Sequence, residues 1–231
     1  MKTPILNSSD PLTLIGGGEA TPEDLKEALV FAPQCIAADS GAHLALETGV
    51  ELAAVIGDFD SISDAARAQV ASDRLHRIAE QNSTDFDKAL RNVSAPVVVA
   101  LGFLGGQIDH ELASLHTLVM RCDRAIVLLG KCDIVFLCPP SLRLPLPKET
   151  RVSLFPMGSV RGRSNGLHWP IDDIEFQPGV RSGTSNKTTG DVLLEVDAPL
   201  MLCILPRAFI QPVVSLLSQL SETERWPARA G

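Results

Sequence analysis

Over the first 140 positions, apolar residues come in short unbroken runs. Each run ends in glycines or acids, and most lead into a stretch with helical spacing. Residues 12–15 run into Gly16-Gly17-Gly18, and a helix then opens at Thr21-Pro22-Glu23-Asp24. Thr21 suits the N-cap, Pro22 the first helical position, and Asp24 closes a capping box. Residues 35–38 read as a second strand, ending in Asp39-Ser40-Gly41 before a helix over 42–48. Residues 52–56 read as a third, ending in Gly57-Asp58-Phe59-Asp60-Ser61. A helix over 64–71 and a strand over 75–79 follow, and Ser83 is expected to cap a helix over 84–90. Residues 96–101 form a strongly apolar strand, 102–106 a glycine-rich turn, and Gln107 begins another helix. Residues 125–129 and 134–137 give two more strands. Apolar runs alternating with helices predict an α/β fold with a mostly parallel, doubly wound, Rossmann-like sheet.

The pattern changes after residue 138. Pro139, Pro140, Pro145 and Pro147 mark a linker, which places a boundary near residue 140. Beyond it, apolar pieces at 152–155, 166–169, 174–176, 192–196 and 201–205 are separated by turn residues. That spacing predicts a small antiparallel β-sandwich over 141–231, closed by a helix over 209–220 and a polar tail. Base rates put Trp169 in the core of such a sandwich. Ser185-Asn186, in the polar stretch 182–190, reads as a hairpin turn.

The acids of the first half share one location. Asp39 follows the second strand, Asp58 and Asp60 follow the third, and Asp109 follows the 96–101 strand after its glycine turn. Asp85 sits in the first turn of its helix. In parallel sheets, ligands bind beyond the carboxyl ends of the strands, where these acids fall. A carboxylate is costly to desolvate without a partner, so acids gathered on one rim ask for cations. Asp oxygens suit magnesium, which takes one or two carboxylates with phosphate oxygens and water. The constellation therefore points to phosphoryl or pyrophosphoryl transfer from a nucleotide. The glycines at 16–18 allow close backbone approach to a phosphate, but GxGxxG, the GxxxxGK[ST] loop and the protein-kinase motifs are all absent.

Composition narrows the partners. A formal net charge of −8 argues against nucleic acid, and leaves a phosphate ligand to be met by metal or a few placed bases. The five cysteines are scattered without a CxxC pair, so a zinc site or disulfide framework is not expected and a reducing, cytoplasmic setting is. Residues 1–10 lack the apolar core of a signal peptide, and no apolar run approaches the ~18 residues of a membrane span.

Several of these stretches, taken in order, resemble the thiamine pyrophosphokinase family. Its ADGGA is present as Ala38-Asp39-Ser40-Gly41-Ala42 and its GDFDS intact as Gly57 to Ser61. Its QxxTDFxKAL is present as Gln81 to Leu90, and its GGRxDH as Gly105-Gly106-Gln107-Ile108-Asp109-His110. Its GLxW and SN are present as Gly166 to Trp169 and Ser185-Asn186. The resemblance implies transfer of the pyrophosphoryl group of ATP to the thiamine hydroxyl, giving thiamine diphosphate and AMP, with Mg2+. It implies an α/β catalytic, nucleotide-binding domain over 1–140 and a thiamine-binding sandwich over 141–231. It also implies a homodimer with active sites at the subunit interface.

Carried over by residue, the resemblance makes Asp58, Asp60, Asp85 and Asp109 catalytic, the first three as metal ligands. Asp39, Gly57, Ser61, Lys88, Gly105, Gly106, Gln107 and His110 would meet nucleotide and phosphate; Gln81, Thr84, Trp169, Ser185 and Asn186 would meet thiamine. Stacking on thiamine would put Trp169 at the surface rather than in the core. Three positions depart from the family pattern. Gln107 stands where the family has Arg, which removes a bidentate phosphate clamp and leaves Lys88 or Lys131 to compensate. Ser40 replaces a Gly, and Asn82 replaces an acid. The alternatives are a pyrophosphokinase for another heterocyclic, pterin-like alcohol, or a non-catalytic thiamine or nucleotide sensor. Trp169 favours thiamine over a pterin-like alcohol, and retention of all five acids favours catalysis over a sensor.

Overall fold

The computed structural model describes residues 3–229. They fall into two compact units. One runs to Thr117 and includes Leu128–Gly130; the other comprises Leu118–Val127 and the chain from Lys131.

In the first unit the order is β1 (Leu6–Asn7), β2 (Leu12–Ile15), α1 (Pro22–Phe31), β3 (Gln34–Ala38), α2 (Ala42–Thr48), β4 (Ala54–Gly57), α3 (Asp64–Arg67) and β5 (Leu75–Arg77). It continues with α4 (Asp85–Arg91), β6 (Val93–Ser94), β7 (Val98–Leu101) and α5 (Ile108–Met120), whose end passes into the second unit. β8 (Ile126–Leu129) also straddles the division. β2 lies between β3 and β7, β3 pairs with β4, and β4 with β5, all in parallel. β1 and β6 form a separate parallel pair. Every residue of β2, β4 and β7 is buried, as expected where both faces of a parallel strand are covered. The polar exception in β2, Thr13, donates its hydroxyl to the Ala32 carbonyl at 2.6 Å.

The α1 capping box forms as its sequence predicts: Thr21 Oγ1 accepts from Asp24 N–H, and Asp24 Oδ2 accepts from Thr21 N–H at 2.8 Å. α4 starts one residue later than expected, with Thr84 rather than Ser83 as N-cap. Ser83 turns its hydroxyl to Glu80, whereas Thr84 Oγ1 accepts from Asp87 N–H. α3 is shorter than 64–71, because Gln69 and Val70 N–H reach back only to the Ala66 and Arg67 carbonyls, as the helix tightens and stops.

The second unit adds β9 (Asp133–Leu137), β10 (Ser141–Leu144), β11 (Arg151–Pro156), β12 (Val160–Leu167), β13 (Glu175–Phe176), β14 (Thr184–Val196), β15 (Met201–Pro206) and α6 (Ile210–Gln219). Its pairings are antiparallel: β9 with β15, β15 with β11, β11 with β14, and β12 with β13. The long β14 pairs with β11 through Thr184–Lys187, and with β10 and β12 through Val192–Val196. The polar stretch 182–190 is therefore largely strand rather than turn. Ser185, Asn186 and Lys187 face Ser153, Val152 and Arg151 across a ladder, and polar residues occupy it because its exposure alternates. β12 likewise begins six residues before its apolar end, through Arg161, Arg163 and Asn165. The whole is a mixed α/β fold, parallel ladders in one unit and antiparallel in the other. Among the described residues, no helix is long and apolar enough to cross a membrane.

Gly102 combines a close backbone approach with a left-handed conformation. Its φ is +76°, and a Cβ built there would lie 2.5 Å from the Gly16 carbonyl oxygen. Gly102→Ala is expected to lower unfolding free energy by about 1–3 kcal/mol, the range for a strained backbone position. A urea titration checks this, and an unchanged midpoint would show that the two turns separate freely.

Candidate active site

The turn after β4 is built around one carboxylate. Asp39 follows β3 directly in a left-handed conformation, φ +43°, and is 2% exposed. Its Oδ2 accepts from Phe59 N–H at 2.8 Å and its Oδ1 from Ile62 N–H at 2.6 Å. Phe59 is itself left-handed at φ +66°. Gly57 leaves the room this needs, since a Cβ there would lie 3.0 Å from both Asp39 Cβ and Oδ2. Burial pushes the Asp39 carboxyl above its ordinary pKa; the two N–H bonds pull it down, and Asp85 and Asp58 push it up again. Asp39 thus holds the turn from behind, with both oxygens committed to backbone.

Asp58 and Asp60 present the open oxygens. Asp58 Oδ1 takes only a long 3.3 Å bond from Asp60 N–H, and exposed Asp60 receives the Ser61 hydroxyl at 2.7 Å. Single ligand atoms of Asp39, Asp58 and Asp60 lie within 4.8 Å of one another. Hard oxygen donors at this spacing, with lone pairs to spare on Asp58 and Asp60, fit a divalent cation.

A buried ammonium lies beneath them. Lys88 is 1% exposed, and its Nζ donates to Asp58 Oδ2 at 2.6 Å and to Asp85 Oδ1 at 3.0 Å. Burial works against its charge, but the two carboxylates outweigh it and raise its pKa. The same contact is the main cause holding Asp58 below the usual carboxylate range, with Gln81 Nε2 adding a bond at 3.1 Å. Lys88 is thus committed to carboxylates. α4 places it there because Asp85, at the first helical position, and Lys88 are one turn apart.

A cleft of about 740 Å³ opens beside these acids. Asp39, Ser61, Thr84 and Asp85 line one part, and Gly105, Gly106, Gln107, Asp109 and His110 another. Gly16 to Gly18 line it too. A Cβ at Gly17 would lie 2.1 Å from Ser40 Oγ, so the serine that departs from the family pattern fills space that Gly17 leaves. Gly105 and Gly106 are left-handed, at φ +77° and +94°, and Gly105 N–H donates to Glu111 at 3.2 Å. Phe103 was not singled out from sequence, yet it lines the cleft and packs on Phe86 with ring centroids 4.1 Å apart. Its only signal was a large aromatic inside a glycine turn.

Trp169, Ser185 and Asn186 gather in the second unit. Trp169 is 54% exposed rather than core, with the His168 ring edge-on at 4.4 Å. Ser185 is exposed, while Asn186 is buried against the Trp169 backbone.

Residues 25–128 match the model of the thiamin pyrophosphokinase catalytic domain, a stretch that takes in all five rim acids. Thiamine pyrophosphokinase 2 of Oryza sativa subsp. japonica is 28% identical over 171 residues, 64% of this chain and 63% of that protein. Over this stretch the chain is similar to the thiamine pyrophosphokinases. The thiamine pyrophosphokinase of Bacillus subtilis is 30% identical over 113 residues, 46% of this chain and 53% of that one. The chain thus covers less than two thirds of the length of these relatives. The structure of thiamin pyrophosphokinase from Candida albicans superposes with a TM-score of 0.73 at 16% identity, covering 89% of this chain and 95% of that one. That from Geobacillus thermodenitrificans gives 0.70 at 21%, covering 85% and 97%. These likenesses extend the shared mixed α/β fold beyond the stretch matched in sequence.

Lys88→Met keeps the stem and removes the charge. Two carboxylates then face each other with no counter-ion, and stability is expected to fall by about 3–5 kcal/mol. Chemical denaturation checks this, and Lys88→Met/Asp58→Asn is expected to recover part of the loss. An unchanged midpoint for Lys88→Met would show that the ammonium is not needed to hold the acids.

Proposed function

We propose that the protein is a magnesium-dependent thiamine pyrophosphokinase, transferring the pyrophosphoryl group of ATP to the thiamine hydroxyl and releasing AMP. The observation that carries this reading is the Asp39, Asp58 and Asp60 group, its ligand atoms within 4.8 Å, beside a glycine-walled cleft. Asp58 and Asp60 would hold the cation, with Asp85 alongside. Bound there, the cation supplies charge neutralisation for the phosphates.

The rest falls to the chain. The turns at Gly16–Gly18 and Gly105–Gly106 bring backbone to the phosphates, while Gln107, Asp109, His110 and Ser61 border the nucleotide. The thiamine hydroxyl oxygen forms a bond to the β-phosphorus as the bond from that phosphorus to the bridging oxygen breaks. AMP leaves with that oxygen, and the hydroxyl proton is released. Alignment and electrostatics carry most of such a transfer. Lys88 serves through Asp58 and Asp85, and Gln81 through Asp58. Thr84 borders the acids from the helix start, and Trp169 stacks on the thiazolium, an attraction of about 0.5–2 kcal/mol.

In this reading the division of labour runs between residues 1–140, a doubly wound sheet for the nucleotide, and 141–231, a β-sandwich for thiamine. The working form is a cytoplasmic homodimer with active sites between subunits.

The test is AMP release from ATP by the purified protein, with and without thiamine and Mg2+. AMP formed only with both, together with thiamine diphosphate, is expected. ATP binding without AMP under any condition would overturn catalysis in favour of a binding protein. Asp60→Asn is expected to lower turnover about a hundredfold or more with an unchanged circular dichroism melt. Wild-type turnover would remove Asp60 from the metal site.

A further inference from the structure

The sequence motif Ser185-Asn186 suggested a ligand contact, but the Asn186 side chain is spent elsewhere. Asn186 is 3% exposed. Its Nδ2 donates to the Trp169 carbonyl at 2.6 Å, and its Oδ1 accepts from Trp169 N–H at 3.2 Å and from Lys187 N–H at 2.9 Å. One amide thus takes both backbone polar groups of Trp169, as a paired strand residue would.

The local ladder explains why a side chain does this. β12 and β14 pair through Leu167 and Thr188, past an irregularity between Asn165 and Leu167, and His168 N–H still reaches the Lys187 carbonyl at 2.8 Å. At the next step the β14 backbone is already engaged, since Asn186 pairs with Val152 of β11. The Asn186 amide therefore extends the ladder by one residue, to Trp169. Pro170 follows, with its φ fixed and the residue before it restricted. The ring ends up 54% exposed on a backbone that is saturated and stiff. Ordering a side chain in advance removes part of the cost of binding.

We infer that Asn186 is a positioning residue, which clamps the Trp169 backbone and so presents its indole as a fixed platform for a planar heteroaromatic cation. This rests on the proposed thiamine reading for the identity of the cation, but not for the clamp itself.

Two measurements on the full-length protein separate the parts. The first is fluorescence anisotropy decay of Trp169 in a Trp226→Phe background. The indole is expected to turn only with the whole protein, and to gain a fast component in Asn186→Ala. Asn186→Asp keeps the shape and both acceptor bonds but sets a carboxylate oxygen against the Trp169 carbonyl in place of the donor; it is expected to show the same fast component should the alanine variant fail to fold. Decay unchanged in the aspartate variant would overturn the clamp. This readout needs neither ATP nor thiamine, so it stands even where AMP release fails.

The second is a double-mutant cycle on the KM for thiamine. Asn186→Ala is expected to raise it about tenfold, equivalent to roughly 1.4 kcal/mol, with the KM for ATP unmoved. Trp169→Ala is expected to raise it at least as far, and the double variant no further than Trp169→Ala alone. Additive effects would mean that Asn186 touches the ligand itself, and would overturn the positioning role. Unchanged thiamine kinetics in Trp169→Ala would overturn the platform.

Discussion

The structure at the strand ends depends on one buried ammonium. Asp39, Asp58, Asp60 and Asp85 converge there, and two unit charges 4 Å apart interact by about 4 kcal/mol at an effective dielectric constant near 20. Lys88 enters this group from α4 and bonds two of the four. It changes repulsion between Asp58 and Asp85 into a shared attraction, and fixes the turn after β4 against the first turn of α4. Asp58 Oδ1 and Asp60 are left as the oxygens that face outward. The desolvation cost of a buried lysine is large, and it is met here only because both carboxylates accept from it.

A second carboxylate does the corresponding work for the backbone. Asp39 and Phe59 both sit in left-handed conformations that non-glycine residues avoid, each costing on the order of 1–3 kcal/mol. Asp39 offsets this by bonding Phe59 N–H and Ile62 N–H with separate oxygens. The strain has a use: it turns the chain sharply enough after β4 to bring Asp58 and Asp60 to the same rim. Gly57 completes the arrangement by leaving no side chain in the way.

Much of this was legible in the sequence, because the forces involved are local. Continuous apolar runs give buried parallel strands, Thr21 and Asp24 give a capping box, and an acid following a strand lies at the carboxyl edge of the sheet. What was not legible depends on partners distant in sequence. Asp39 reads as a ligand-facing acid until its bonds to residues twenty and twenty-three positions on are seen. Lys88 reads as a phosphate-binding base until its burial is known. The 182–190 stretch reads as a turn because it is polar, yet its pairing with β11 makes it strand. Helix α3 stops early for want of hydrogen bonds that no residue type announces.

Lys88 and Asn186 share a logic that explains why their motifs mislead. Each is a polar side chain in a place where it cannot meet a ligand freely, and each has its polar atoms bonded to the protein. Among the described residues, no buried side-chain polar atom lacks a hydrogen-bond partner. A buried polar group whose bonds are all internal has no capacity left for a ligand, yet it limits how its neighbours move. Asp58, with one oxygen only weakly bonded, and Trp169, with an exposed ring, are the residues left to meet a ligand, and their geometry is set by Lys88 and Asn186. Ser40 acts by contact alone: its hydroxyl occupies the space beside Gly17 and shapes the cleft wall. A pattern of residue types around a site therefore mixes groups that touch the ligand with groups that fix them, and only the bonding of each group separates the two.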